Sequence, residues 1–283
     1  MTNKAHKRQI VWYNILRIIS QIALLATLIA LITVIYFIIK RGIGDISLQL
    51  LFGEYKKYVS MRPALAGTMY LILIAVATAA PIGIGTAIYL TEYSKSNSRI
   101  MRIIHLAIET LAGIPSIVYG IFGYLVFVVA LNFNYSLLGG GLTLAIMILP
   151  VIVRSTEESL LAVPLSLREG SLALGSSKVR TIFSVVLPCA TAGIVTSLIL
   201  AIGRVISESA VLIITIGMVV NKMPRSITSP GTSLALDVYF FASHGYPKEA
   251  AATGVVLLLL VISLNSLAML LGKIYGKGEL SDG

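Results

Sequence analysis

The sequence predicts an all-α membrane protein with six transmembrane helices and a pair of short helices between the fourth and the fifth. Three observations carry that prediction. Of 283 residues, 57% are hydrophobic and only 12% are charged, and the mean hydropathy is +0.93, outside the range of soluble domains. Several apolar runs reach the ~20 residues that cross ~30 Å of hydrocarbon as helix. The alternating segments of about 10 residues that mark a transmembrane β-barrel are absent.

The first apolar run, Ile18 to Ile39, follows Lys4, Lys7, Arg8 and Arg17. It is too long for a signal-peptide core and has no small-residue cleavage site before Lys40-Arg41, so it reads as an uncleaved first helix. A polar connection, 40–63, leads to a second span, Ala64 to Leu90, interrupted at Pro81-Ile82-Gly83-Ile84-Gly85. Proline cannot donate to the helical ladder, so a kink is expected there. A basic connection with Lys95, Arg99 and Arg102 precedes the third span, about Ile104 to Leu131, broken at Gly113-Ile114-Pro115. Gly139-Gly140-Gly141 open the fourth span, Leu142 to Val153, which is short unless Leu137 and Leu138 belong to it. The fifth runs from about Ala192 to Gly217 and the sixth from Ala250 to Leu271, separated by a polar stretch, 218–249.

Between spans four and five, Arg154 to Pro188 is polar enough to lie outside the membrane, yet too rich in Leu and Val for a solvated linker. Pro164 opens a helix over Leu165–Leu174, and Gly175 closes it at the left-handed C′ position. Ser176 or Ser177 caps a second helix, Lys178 to Val186, and Pro188 ends the unit. Two capped helices between membrane spans form a docking surface.

Six spans place both termini on one side. With that side cytoplasmic, 13 Lys and Arg lie inside and 8 outside, with Arg204 within a span. The positive-inside rule therefore favours cytoplasmic termini in a multi-pass cell membrane protein, and puts the docking segment in the cytoplasm.

Chemistry-bearing motifs are few. There is no G-x-x-x-x-G-K-[ST], so no P-loop for ATP, and no nucleophile–base constellation. His6, His105 and His244 have no metal-ligand spacing, and the single Cys189 excludes an intrachain disulfide. Nothing indicates an enzyme, a metal or a cofactor held by this chain. The net charge of +10 reads as topology rather than nucleic-acid binding.

Arg204, in Gly203-Arg204-Val205-Ile206-Ser207-Glu208, is the sharpest local feature. An arginine at the bilayer centre costs about 2.5–3.5 kcal/mol on insertion scales, so it faces protein or water. Glu208 at i+4 shares its helical face, with Ser207 beside it. Two readings stand: an ion pair that packs the bundle, or an anion site, since guanidinium matches phosphate or carboxylate bidentately. Arg154 reads as an arginine snorkelling to the interface, and Glu109 with His105 as interfacial residues.

The docking segment resembles the EAA loop of ABC importer permeases, E-A-A-x3-G-x9-I-x-L-P. Glu169 holds the acidic position, Gly170-Ser171 replace the alanines, and Gly175, Val185 and Leu187-Pro188 complete the pattern. Other stretches are similar to phosphate importer permeases. They are Pro81 to Gly85 with Ala87 to Glu92, Leu111 to Gly120, Leu149 to Glu158, Val163 to Gly175 and Ala201 to Ala210. The resemblance covers about residue 64 onward and is closest to the PstA-type subunit, with the paired PstC-type second. Ser207 and Ser209 depart from the family's Gly and Thr.

The resemblance implies a MetI-like transmembrane domain over 64–275, including a coupling loop over 154–190. Ahead of it lie an N-terminal helix and outer loop, 1–63, and behind it a cytoplasmic tail, 276–283. It implies substrate-pathway roles for Arg204, Glu208, Arg154 and Ser207. It also implies ATPase coupling by Arg168, Glu169, Gly170, Ser171, Gly175, Leu187 and Pro188. The implied partners are a PstC-type permease, two PstB-type ATPase subunits that bind ATP and Mg, and a PstS-type extracytoplasmic phosphate-binding protein. The function implied is phosphate import. The alternatives are a permease for sulfate, molybdate or phosphonate and, in another class, an ATPase-independent channel or secondary transporter.

Overall fold

Backbone polar groups in hydrocarbon are satisfied within a helix, and the computed structural model follows that rule over its described residues, 2–55, 59–94 and 99–277. No strand occurs among them. Five helices are long and apolar enough to cross a membrane: Trp12–Asp45, Arg62–Tyr93, Leu137–Leu161, Lys178–Ser207 and Pro247–Gly272. A sixth span exists only if two helices bent by 103°, Arg99–Gly113 and Ser116–Ala130, count as one. The third expected span is therefore a sharply bent pair.

In chain order, α1 is Thr2–Gly42 and α2 the short Leu48–Phe52. α3, Arg62–Ile88, continues through a wider π turn to Tyr93. α4 is Arg99–Gly113, and α5, Ser116–Gly123, runs on as a π segment to Ala130. α6 is Leu137–Leu161 and α7 Leu165–Ala173. α8, Lys178–Thr181, passes through a π turn, Ile182–Val186, into α9, Leu187–Ser207. α10 is Ala210–Thr215, α11 Leu234–Ser243 and α12 Pro247–Lys277.

Helices α3, α6 and α9 form the centre. Leu71 and Ala75 of α3, Leu144, Ile148 and Ile152 of α6, and Ala201 and Val205 of α9 are buried together. Small residues allow that closeness. A Cβ on Gly141 would lie 2.6 Å from Ile74, and one on Gly140 2.3 Å from Ile216. The triple glycine is thus a close-packing surface inside α6, whose first turn is capped by the Ser136 hydroxyl accepting from the Gly139 amide at 3.1 Å. The described part of α1 is largely exposed, and its C-terminal end packs on α12. The connection after it folds back, with Leu50 and Met61 buried against Leu234 and Ala252.

Three expected boundaries move. α3 continues through Pro81 without a break. α6 extends past Arg154 to Leu161, so Arg154 lies two turns inside a helix instead of closing a span. Pro188 does not end the docking unit. It sits at the start of α9 directly after the π turn over Ile182–Val186, where the widened ladder accommodates a residue without an N–H. Residues 278–283 of the expected tail lie outside the described residues.

Candidate functional site

The segment after α6 folds as the expected hairpin. α7 starts after Pro164, and Gly175 has φ +83°, the left-handed region that glycine enters without a Cβ penalty. The Ser177 hydroxyl accepts from the Arg180 amide at 3.4 Å and caps α8. Ser171 and Thr181 hydroxyls meet at 3.0 Å and staple the two helices together.

Arg168 points into the protein. Its Nη1 lies 3.1 Å from Glu92 Oε1, with side chains only 15% and 9% exposed, and its Nη2 donates to the Leu160 carbonyl at 2.5 Å. Glu92 Oε1 and Arg168 Nε are buried without a hydrogen bond. The tie to Glu92 is therefore coulombic and off the hydrogen-bonding direction. Lys178 sits over the Tyr93 ring at 5.1 Å, a cation–π contact. Arg168 and Lys178 thus fasten the hairpin to the end of α3, and Arg168 also to the end of α6. The opposite face stays open: Leu165, Glu169, Gly170, Leu172 and Leu174 are exposed, Leu174 to 90%. Of the seven residues singled out for coupling, Glu169 and Gly170 lie on that open face. Gly175 is exposed at the turn, and Arg168 and Ser171 hold the hairpin in place. Leu187 and Pro188 belong to the first turn of α9.

Beside the hairpin, α4 lies along α6 through charged side chains. Arg154 Nη2 donates to Glu109 Oε1 at 3.1 Å, with side chains 51% and 61% exposed. One turn back along α4, His105 Nε2 lies 3.5 Å from Glu157 Oε1. Glu109 and His105, expected as interfacial residues, link two helices. Tyr119 of α5 donates its hydroxyl to the Leu111 carbonyl of α4 at 2.7 Å, bridging the bend.

Arg204 is exposed on α9, within electrostatic reach of the buried Tyr119 hydroxyl. It makes no ion pair or hydrogen bond among the described residues. The expected i,i+4 pairing with Glu208 does not form, because α9 ends at Ser207 and Glu208 is extended, with φ −83° and ψ 127°. Glu208 Oε1 accepts from the amides of Ala210 and Val211 at 3.0 and 3.3 Å. It satisfies donors that open α10, where a carboxylate is favoured by the helix dipole. Ser207, also exposed, donates to the Gly203 carbonyl at 2.9 Å.

The two arginines therefore flank the bent pair, Arg154 against α4 and Arg204 toward α5. Sequence spacing did not reveal Glu92, Glu109 or Tyr119, whose partners lie on other elements. Glu92 stood in a motif that pointed to it, but its partner did not show.

Residues 79–278 match the family described as binding-protein-dependent transport system inner membrane component, and the chain belongs to that family. The probable ABC transporter permease protein YqgI of Bacillus subtilis is 34% identical over 275 residues, covering 90% of this chain and 93% of that one. The phosphate transport system permease protein PstA of Yersinia pestis is 33% identical over 267 residues, covering 89% and 86%. PstA 1 of Mycobacterium tuberculosis is 40% identical over 154 residues, covering 54% and 50%. Among solved structures, the inward-facing MetNI methionine ABC transporter superposes with TM-score 0.60 at 19% identity, covering 76% and 94%. An importer of the polysaccharide alginate gives 0.55 at 15%, covering 92% and 98%. These structures establish the MetI-like fold. The chain is thus a multi-pass cell membrane permease subunit, and its family implies an ATPase and a substrate-binding protein as partners.

Proposed function

We propose that this subunit forms half of an import path for inorganic phosphate, completed by a PstC-type permease. Two PstB-type ATPase subunits, which hold the ATP and Mg, would drive it, and a PstS-type extracytoplasmic protein would deliver the anion. The observation that carries the reading is Arg204. It is an exposed guanidinium, without an ion pair among the described residues, on an apolar spanning helix, in a chain whose near full-length relative is named a phosphate transport permease. A charge so placed costs several kcal/mol unless it faces water, protein or a ligand. Its planar fork suits a tetrahedral oxyanion.

With both termini cytoplasmic, the hairpin faces the ATPase. Its open surface, Leu165, Glu169, Leu172 and Leu174, fits a helix-in-groove contact, while Arg168 and Lys178 hold it to α3. Groove closure on ATP binding then moves α7 and α8, and α9 carries that motion to Arg204. Arg154 and Ser207 line the same path, and Glu208 fixes the break after α9 that ends Arg204's helix. Segment 1–63, exposed along most of the described part of α1, covers the neighbouring subunit or contacts lipid.

The test is uptake of labelled phosphate by vesicles holding the complete complex, with sulfate and molybdate as competitors. The expected result is ATP-dependent uptake blocked by unlabelled phosphate alone and lost in Arg204→Ala with assembly intact. Uptake unchanged in Arg204→Ala would remove Arg204 from the path. Competition by sulfate or molybdate instead would reassign the anion, and uptake without the ATPase would point to a channel or secondary transporter.

A further inference from the structure

The Arg154–Glu109 pair joins α6 to α4 away from the helix ends. Arg154 lies seven residues from the end of α6, roughly 10 Å inside it, and both side chains are more than half exposed. Exposed charges within spanning helices face a watery path or a partner, not lipid. The contact is a single hydrogen bond from Arg154 Nη2 to Glu109 Oε1. The remaining guanidinium donors and the second carboxylate oxygen make no hydrogen bond among the described residues. A one-point, solvated pair of this kind is weak and exchangeable. Of the other charged groups on these two helices, Arg102 is exposed on α4, Glu158 of α6 lines a groove shared with α9 and α12, and His105 of α4 faces Glu157 of α6.

Arg204 differs. Glu208, the acidic group nearest it in sequence, is committed to the α10 amides, so Arg204 has no counter-ion among the described residues. On the proposed path, Arg154, by contrast, already holds a carboxylate.

We infer that Glu109 is an internal counter-ion that competes with the transported anion for Arg154, making Arg204 the capture site and Arg154 the release site. The inference rests on the phosphate-import reading and adds a direction to it. Phosphate and carboxylate offer guanidinium the same pair of oxygens. Glu109, tethered on α4, is always present at high effective concentration. Anion held at Arg154 is therefore transient, and binding stays weak enough for conduction.

The experiment uses the complete complex and labelled orthophosphate, reading both phosphate retained at equilibrium and ATP-driven uptake. Glu109→Gln keeps the shape and removes the competing charge. Retention should tighten about two- to fivefold, the range set by the strength of an exposed pair, while turnover falls. Glu109→Asp should restore wild-type behaviour, and Arg154→Gln added to Glu109→Gln should cancel the tighter retention. A reversed pair, Glu109→Arg with Arg154→Glu, rebuilds the tie without the release site and should stay inactive.

Lower turnover in Glu109→Gln with retention unchanged would overturn the inference, because a merely structural tie behaves that way. Recovery of uptake in the reversed pair would overturn it as well. If the wild-type complex neither retained nor moved phosphate, the functional reading itself would fall and the inference with it. Normal wild-type uptake with no effect of Glu109→Gln sinks the inference alone.

Discussion

Two arginine–carboxylate pairs in this molecule share a 3.1 Å nitrogen–oxygen separation and have opposite surroundings. Arg168–Glu92 is nearly buried, and the guanidinium also donates to the Leu160 carbonyl. Arg154–Glu109 is more than half exposed and hangs on one hydrogen bond. Distance alone gives them equal standing, but solvent separates them. Breaking a buried pair strands a charge that water cannot reach, whereas an exposed pair loses little because water replaces the partner. The first joins the hairpin to the bundle, and the second is free to exchange its partner.

The largest expected effect comes from breaking the buried pair. Glu92→Gln should destabilise the hairpin end by about 3–5 kcal/mol, seen as a lower melting temperature and weaker co-purification with the ATPase. Glu92→Leu combined with Arg168→Met should recover most of that stability, since the stranded charge is gone. A Glu92→Gln loss no larger than that of Glu109→Gln would erase the contrast between the pairs.

A third carboxylate extends the comparison to burial without any cation. Asp237, in the short α11 outside the spanning helices, is fully buried. It accepts a hydrogen bond from the Thr232 hydroxyl at Oδ1, and its Oδ2 has no hydrogen-bond partner. Burial pushes its pKa up to about 8, against the lowering effect of Thr232. The folded chain therefore keeps a proton that the unfolded chain releases near pH 4. Folding is unpenalised below about pH 4, and the cost grows as pH rises from about 4 to about 8. Asp237→Asn is exempt. Its stability, read by thermal melt, should gain on the wild type as pH rises from 5 to 8, by up to roughly 1.4 kcal/mol per pH unit. A difference that does not change with pH would show that Asp237 is ionised in the folded state.

The smallest effect belongs to the exposed pair. Glu109→Gln should change stability by less than about 1 kcal/mol, within a few degrees by thermal melt, even as phosphate retention changes. A large stability loss would move this pair into the structural class with Arg168–Glu92.

What the sequence made legible follows the range of the interactions. The hairpin could be read because its signals are local: Pro164 before α7, Gly175 at the turn and Ser177 at the cap each act within one turn. The Arg204–Glu208 pairing failed because i,i+4 spacing presumes an unbroken helix. Ser207-Glu208-Ser209, short polar residues able to bind backbone amides, was a visible stop signal that contains neither Gly nor Pro. Pro188 misled in the opposite direction, since a π turn absorbs the missing donor that would otherwise end a helix. Glu92–Arg168 and Glu109–Arg154 join separate elements, and no periodicity reveals which carboxylate a distant arginine meets. The exposed face of the hairpin was legible as apolar residues in a polar segment, but its attachment to α3 needed the fold.

The unbroken helical path from Lys178 to Ser207 has a consequence for the spacing of the chain. It spans roughly 39 Å between Lys178 and Arg204, and it acts as a ruler that fixes distance and phase together. One residue inserted anywhere between them would turn Arg204 by about 100° about the axis and advance it by about 1.5 Å. The arginine would then face the packed interior or lipid, and an insertion placed beyond Thr181 would do this while leaving the Ser171–Thr181 staple of the hairpin intact. Loops tolerate changes in length, but here the number of residues itself sets which way Arg204 faces.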